Sequence, residues 1–404
     1  MAPPPDDGSQ PPPPNTAALP GTHLGNGVSA HARALEALAR RGRLRTLQPR
    51  AGHDFTSNDF LGLANSPELA DAARDALARG VPLGAGGSRL LRGNHDEHEA
   101  LEAEAARFFG AETALYFGGG FQANAAILAT LPARGDIVVY DALVHASAHE
   151  GLALTKAATT EARHNDPQSF DDALQTWRNA GGTGRPWIAV ESVYSMDGDT
   201  APLADLMDIA ARHDANVVVD EAHATGVLGP GGRGLAAAYE GRENLICLHT
   251  CGKGLGASGA LVTGPAVIRD YLVNRARAFI YATAPSPVMA AVVRRALTLV
   301  EAEPWRRAAL AARVGHVRER LAATCGLTPS PTHIQPVIVG TDSRAVALAE
   351  RMQASGYDIR AIRPPTVPEG TARLRIVVTL NVDDAMTDAM LSDLAQALPA
   401  VRAR

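Results

Sequence analysis

Lysine is almost missing from this chain. Its 404 residues hold 38 lysines and arginines, and only two of them, Lys156 and Lys253, are lysine. Aromatic residues are scarce too, at 4%. Cysteine is limited to Cys247, Cys251 and Cys325, an odd set with no C-x-x-C spacing. That argues against a disulfide framework or a cysteine metal site, and it predicts free thiols in a reducing, cytoplasmic setting. No apolar run approaches the roughly 18 residues that a bilayer span needs. Positive charge is not in excess: the net charge is −5, so no general nucleic-acid or membrane-surface binding is expected. The opening stretch "MAPPPDDGSQPPPPNTAALPGTHLGNG" lacks the basic and apolar regions of a secretory signal. Residues 1–28 read as a disordered, proline-rich tail.

What remains is ample for a core, with 46% hydrophobic residues. "SAHARALEALARRGRLRTL", Ser29 to Leu47, has helical spacing of its apolar positions. Beyond it, helices such as "PELADAARDALARG", "DEHEALEAEAARFFG" and "PLADLMDIAARHD" are interspersed with short apolar strands. The strands are "TALYF", "DIVVY", "PWIAVES", "NVVVDEA", "NLICLHT" and "GALVTG". This alternation predicts an α/β domain with a largely parallel sheet over residues 51–285. Residues 286–404 change character. Long helices come first, then "IQPVIVG", "DSRAVALAERMQASG", "ARLRIVVTL" and "DDAMTDAMLSDLAQAL", a smaller α+β unit.

Two short motifs mislead. "GLGASG" (Gly254 to Gly259) matches a dinucleotide fingerprint, but "GALVTG" follows it and reads as a strand where that site needs a helix. "DEAH" (Asp220 to His223) resembles a helicase segment, yet neither lysine sits in a phosphate-binding G-x-x-x-x-G-K-[ST] loop. That disfavours a nucleoside triphosphatase. "GAGGSRLLRGNH" could cradle an anion but is unspecific by itself.

A constellation fits better. Asp220 ends the apolar strand "NVVVD", where open α/β sheets bind ligands, and a buried carboxylate there needs a cation. Lys253 follows the strand "LICLH" at the same topological place. His223 and His145 follow strands as well, and "FGGGFQAN" (Phe117 to Asn124) opens a helix whose N-terminus suits a phosphate. Each has an ordinary reading alone: a turn cap, core histidines, a solvated lysine. Together they are the parts of a pyridoxal 5'-phosphate site. An aspartate keeps a pyridine nitrogen protonated, and an amine condenses with an aldehyde. Guanidinium cannot do the latter, which gives Lys253 a reason in a chain that has otherwise moved almost wholly to arginine.

"TCGKGLGASGA", "SNDFLGLANSPEL", "GAGGSRLLRGNHDEHEALE", "GGGFQANAA", "LVHASAHEG", "ESVYSMDGDTAPL", "VVVDEAHATGVLGPGGRG" and "IRPPTVPEGTARLR" resemble, in order, segments of the α-oxoamine synthases. These are fold-type-I pyridoxal-phosphate enzymes that join an amino acid to an acyl thioester and release carbon dioxide. The likeness spans about residues 30–400. It implies a homodimer whose subunits have a large domain (51–285) with a mostly parallel seven-stranded sheet. A small α+β C-terminal domain (286–404) and an N-terminal helical segment (29–50) packing with it complete the chain. "HIQPVIVG" and "AIRPPTVPEGTARLR" are most similar to the branch that condenses L-alanine with a pimeloyl thioester, carried on CoA or acyl carrier protein. Branches acting on glycine or serine share most other motifs.

By this resemblance Lys253 holds the cofactor aldehyde and acts as acid and base at the substrate α-carbon. Asp220 pairs with the ring nitrogen, His145 stacks on the ring and meets substrate, and His223 and Ser195 reach the ring hydroxyl. Gly120, Phe121 and Thr250 hold the phosphate. Arg375 binds the amino-acid carboxylate, and Arg45 and Thr366 contact the acyl substrate. Gly119 departs from the family pattern, standing where many relatives have a serine, which removes a hydroxyl from the phosphate site. "LLRGNHDEHEALE" is more charged than the tyrosine-containing form in some relatives.

Overall fold

The computed structural model describes residues 26–402, so the tail expected over 1–28 lies, up to residue 25, outside the described residues. Helix α1 (Asn26–Arg40) stops before the expected Leu47. Gly42 takes φ 64°, Arg43 N–H donates to Leu38 O and Gly42 N–H to Ala39 O, a glycine C-cap that ends the helix. Among the described residues, those up to Gln48 form one unit by backbone contacts and those from Pro49 onward form another.

In the second unit, β1 (His53–Asp54), α2 (Pro67–Ala78) and α3 (Asp96–Phe109) lead to β2 (Thr113–Phe117) and α4 (Gly120–Thr130). Then follow β3 (Ile137–Asp141), α5 (Ala146–Leu154), β4 (Ala158–Ala162), α6 (Pro167–Asn179) and β5 (Pro186–Glu191). Next come α7 (Leu203–His213), β6 (Asn216–Asp220), β7 (Leu245–Thr250), β8 (Ala260–Gly264), α8 (Ala266–Arg275) and α9 (Arg277–Ile280). The chain closes with α10 (Pro287–Ala302), α11 (Pro304–Cys325), β9 (Ile334–Gly340), α12 (Asp342–Ala354), β10 (Tyr357–Asp358), β11 (Ala361–Ile362), β12 (Ala372–Val377) and α13 (Asp384–Arg402).

The main sheet has seven strands in the order β2-β8-β7-β6-β5-β3-β4, and only β8 runs against its neighbours. Its central strands are buried along their whole length, as a parallel sheet covered on both faces requires. Val218, Ile246 and Leu248 pack with Ile127 and Leu128 of α4 and Leu152 of α5 on one face. Val217, Val219 and Cys247 pack with Phe170 and Leu174 of α6 and Leu206 of α7 on the other. A second, antiparallel sheet, β11-β12-β9, shares a third cluster with α10 to α13, including Leu297, Leu321, Leu348 and Leu394. The six strands read from the sequence are all present. The seventh, β4, was not among them: it is an edge strand, "ATTEA", exposed at four of five positions. An edge strand buries little, so its sequence carries no apolar signature.

The expected "GALVTG" strand is β8, hairpin partner of β7. Lys253 therefore sits in the connection between two antiparallel strands, outside any dinucleotide-type turn into a helix. No helix among the described residues is long and apolar enough to cross a membrane.

Candidate active site

The C-terminal ends of β5, β6 and β7 make one rim. Glu191 ends β5 and is the register partner of Asp220, which ends β6. Thr250 ends β7, and the loop Cys251–Gly259 returns to β8, closed by Cys251 N–H to Gly259 O (2.9 Å) and Ala257 N–H to Cys251 O (2.8 Å). Gly256 N–H donates to Lys253 O at 2.9 Å, curling the loop so that the lysine turns inward. Lys253 Nζ lies 2.9 Å from His223 Nε2.

A cavity of about 310 Å³ opens on this rim, lined by Gly118 to Phe121, His145, Glu191, Asp220, His223, Thr250 and Lys253 among others. A larger cavity, about 920 Å³, lies further along α4, lined by Ala129, Arg134, Lys156, Arg275 and Arg277 among others. It gathers none of the expected site residues. The second lysine lies there, apart from the acid–amine constellation.

Asp220 accepts hydrogen bonds from Asn124 Nδ2 (3.1 Å) and from Ala222 N–H (2.9 Å). Asn124 also donates to Ser147 Oγ (3.0 Å), which lies 2.8 Å from His145 Nδ1. His145 caps α5 by accepting Ser147 N–H at 3.2 Å, which fixes its ring beside the cavity. Burial pushes the Asp220 carboxyl up, opposed by the Lys253 charge and the Ala222 N–H. Burial likewise pushes Glu191 well up, reinforced by the charge on Asp220, and Glu191 Oε1 has no partner. Both carboxyls are raised by burial, Glu191 the more strongly because the Asp220 charge adds to it, while the Lys253 charge lowers both. Burial brings Lys253 down to about 8, against the pull of Asp220 and Glu191. Burial, then the Lys253 charge, drives His223 far below its usual value, so it is neutral, and its buried Nδ1 has no partner.

The phosphate end is equally specific. Helix α4 begins at Gly120 after Gly119, which offers no side-chain cap, so the first N–H groups of the helix have none. A Cβ on Gly120 would meet Thr250 Cγ2 at 2.5 Å. Thr250 Oγ1 donates to Ala222 O at 3.2 Å. An uncapped helix N-terminus, a buried carboxylate, an orphaned histidine nitrogen and a lysine with a depressed pKa are the donors and acceptors that pyridoxal 5'-phosphate requires. The residues fit the group.

Not every expected residue lines this cavity. Ser195 lies in the turn after β5, and its carbonyl accepts from Arg375 Nε at 2.5 Å. Arg375, on β12, also donates through Nη2 to Asn58 Oδ1 at 3.0 Å. Burial brings it down to about 10, still a cation at neutral pH. Thr366 follows the cis peptide Pro364–Pro365, with its N–H on Arg363 O at 3.1 Å. Arg45 belongs to the N-terminal unit and is placed only within it. The sequence reading overlooked Glu191, Asn124 and Ser147. Glu191 had a visible signal, a carboxylate ending an apolar strand just as Asp220 does. The other two meet Asp220 and His145 only through tertiary folding.

The family model for aminotransferase class I and II matches residues 52–395. An 8-amino-7-oxononanoate synthase of Anaeromyxobacter dehalogenans is 42% identical over 383 residues, 90% of this chain and 94% of that protein. A solved structure of serine palmitoyltransferase from S. paucimobilis, with a PLP–myriocin aldimine, has a TM-score of 0.82 at 25% identity, covering 94% of this chain and 98% of that one. An 8-amino-7-oxononanoate synthase from Francisella tularensis has a TM-score of 0.73 at 27% identity, covering 86% and 98%. With its lysine, aspartate and histidines converging on one rim of a seven-stranded sheet, the chain belongs to the aminotransferase class I and II family, in the pyridoxal-phosphate-dependent α-oxoamine synthase branch.

Proposed function

We propose that this enzyme condenses L-alanine with a pimeloyl thioester, carried on CoA or acyl carrier protein, with loss of carbon dioxide, giving 8-amino-7-oxononanoate for biotin synthesis. The observation that carries this reading is the 42% identity over 90% of the chain to a synthase of that name. The higher fold likeness to serine palmitoyltransferase comes at only 25% identity and reports the shared architecture.

Lys253, Asp220, His223, His145, Thr250, Gly120 and Phe121 would hold pyridoxal 5'-phosphate, with Ser195 approaching from the turn after β5. When bound, that cofactor supplies an electron sink for charge developing at the substrate α-carbon. The protein's own groups do the rest. Asp220, whose charge Lys253 and the Ala222 N–H support against the cost of burial, faces where a protonated ring nitrogen would need a carboxylate. The α4 N–H groups and Thr250 take the phosphate. Lys253, with its pKa depressed by burial, removes and returns the α-proton near neutral pH. His223 orients the lysine amine through its 2.9 Å contact. His145, held by Ser147, closes one side of the cavity and meets substrate. Arg375 takes the alanine carboxylate, and Thr366 contacts the acyl substrate. Placing these charges beforehand, where charge develops, is what accelerates the reaction.

The enzyme works as a homodimer. Leu83 and Leu91 on one loop and Tyr281 on another are exposed, and Ala284 N–H to Gly87 O (2.9 Å) stitches the two loops into one surface. A patch of this kind suits a second copy of the chain.

The deciding experiment measures thiol release with alanine, glycine and serine against acetyl-, succinyl-, pimeloyl- and palmitoyl-CoA. Alanine with pimeloyl-CoA is expected to give the highest kcat/KM. A preference for glycine with acetyl- or succinyl-CoA would move the enzyme to another branch and leave the residue roles intact.

A further inference from the structure

The chemistry above leaves a charged histidine outside the cavity without a role. His164 lies between β4 and α6. Its Nδ1 is 2.8 Å from Asp141 Oδ1, at the end of β3, and its Nε2 is 2.7 Å from Asp199 Oδ2. A neutral imidazole has one N–H and can donate to only one of two carboxylates. Burial pulls the pKa of His164 down, but the hydrogen bonds and charges of Asp141 and Asp199 outweigh it and carry the value up to about 10. The ring is therefore an imidazolium clamped between two anions. The groups facing it are Asp141 from β3, Asp199 and the edge-on Tyr194 ring (4.5 Å) from the turn after β5, and Asn165, whose Nδ2 also donates to Asp199 at 2.8 Å.

That turn is where the two sheets meet. It is closed by Tyr194 N–H to Asp199 O (3.0 Å) and Gly198 N–H to Tyr194 O (2.9 Å). From the antiparallel sheet, Arg373 donates to Met196 O and to the Asp197 carboxylate, and Arg375 Nε donates to Ser195 O. Thr332 Oγ1 donates to Gly198 O at 2.7 Å. From the parallel sheet, the turn is held by His164 and Asn165.

We propose that His164 is a positioning residue for amino-acid binding: the Asp141–His164–Asp199 triad seats the Tyr194–Asp199 turn and, through the Ser195 carbonyl, sets where the Arg375 guanidinium meets the substrate carboxylate. This rests on the reading of Arg375 as the carboxylate-binding residue. A turn shifted by a fraction of an ångström carries the Arg375 anchor with it, and binding geometry of this kind is sensitive to such shifts.

The test compares wild type, His164→Gln, Asp199→Asn and Arg375→Lys as holoenzymes. The dissociation constant for alanine is read from the change in cofactor absorbance, without turnover. His164→Gln is expected to raise it roughly tenfold while the KM for the thioester stays within about twofold. In wild type, alanine affinity falls as pH rises through about 10, where His164 loses its second proton. Alanine's own amine titrates nearby, so the comparison with Asp199→Asn isolates the triad. In that variant neutral His164 donates to Asp141 and accepts from the new amide, so the part of the fall due to His164 disappears. A purely structural role would lower the melting temperature and leave these profiles superimposable. If Arg375→Lys leaves alanine binding unchanged, the carboxylate reading fails. If Arg375→Lys weakens binding and His164→Gln does not, the positioning role is overturned. Should His164→Gln not fold, identical pH profiles for wild type and Asp199→Asn overturn it equally.

Discussion

At the scale of single residues, Lys253 shows why one lysine survives in an arginine-rich chain. An arginine stays protonated in proteins and could neither condense with an aldehyde nor shuttle a proton. Burial is the largest influence on Lys253 and lowers its pKa to about 8; Asp220 and Glu191 resist. Below that pH the amine is protonated and unreactive, above it neutral. The apoprotein is therefore expected to capture pyridoxal 5'-phosphate at a rate that climbs with pH, approaching tenfold per unit well below 8, and then levels off. Stopped-flow absorbance from pH 6 to 9 would reveal this limb, and a flat profile would contradict it. Lys253, Asp220, His223 and His145 were legible in the sequence because strands deliver each of them to a predictable end of a sheet. Asn124 was not: 96 residues separate it from the Asp220 carboxylate it supports, and nothing local marks the pairing.

At the scale of elements, the β7–β8 hairpin is the decisive piece. Its loop holds Lys253 inward, and Gly259 closes it at φ 104°. A Cβ on Gly259 would fall 2.4 Å from Tyr116 Cε2, and Tyr116 Oη itself donates to Ser258 O at 2.8 Å. Gly259→Ala combines a disfavoured backbone angle with a clash inside a packed core. It is expected to cost about 2–4 kcal/mol in denaturant unfolding and to loosen cofactor binding. An unchanged midpoint would show that the loop can yield. The helices were readable from their apolar period, and the central strands from their unbroken apolar runs. Strand β4 was not, since an exposed edge strand has no core-facing pattern to display. The end of α1 falls short of the expected one for a related reason: Leu44 and Leu47 continue the apolar spacing past Gly42, but the glycine's left-handed backbone stops the helix.

At the scale of the whole molecule, the exposed leucines and tyrosine on the stitched loops predict assembly. Light scattering is expected to give twice the chain mass, and Leu91→Asp, at a position 85% exposed in the single chain, is expected to shift the balance toward monomer. A wild-type monomer that is fully active would refute the dimer. The chain's patterning also settles how it divides its labour. The parallel sheet supplies the cofactor rim, and the antiparallel sheet reaches across with Arg373 and Arg375.

The sequence by itself determined the fold class, the cofactor chemistry and the strand-end placement of Lys253, Asp220, His223 and His145. Each of these rests on local pattern: the period of burial, a carboxylate at a strand end, an amine where no guanidinium would serve. Only the tertiary structure decided that Glu191 stands beside Asp220, that Lys156 lines a separate cavity, and that His164 is clamped between Asp141 and Asp199. Those are relations between distant segments, and their energies come from desolvation and charge in a shared interior, which no stretch of chain encodes alone.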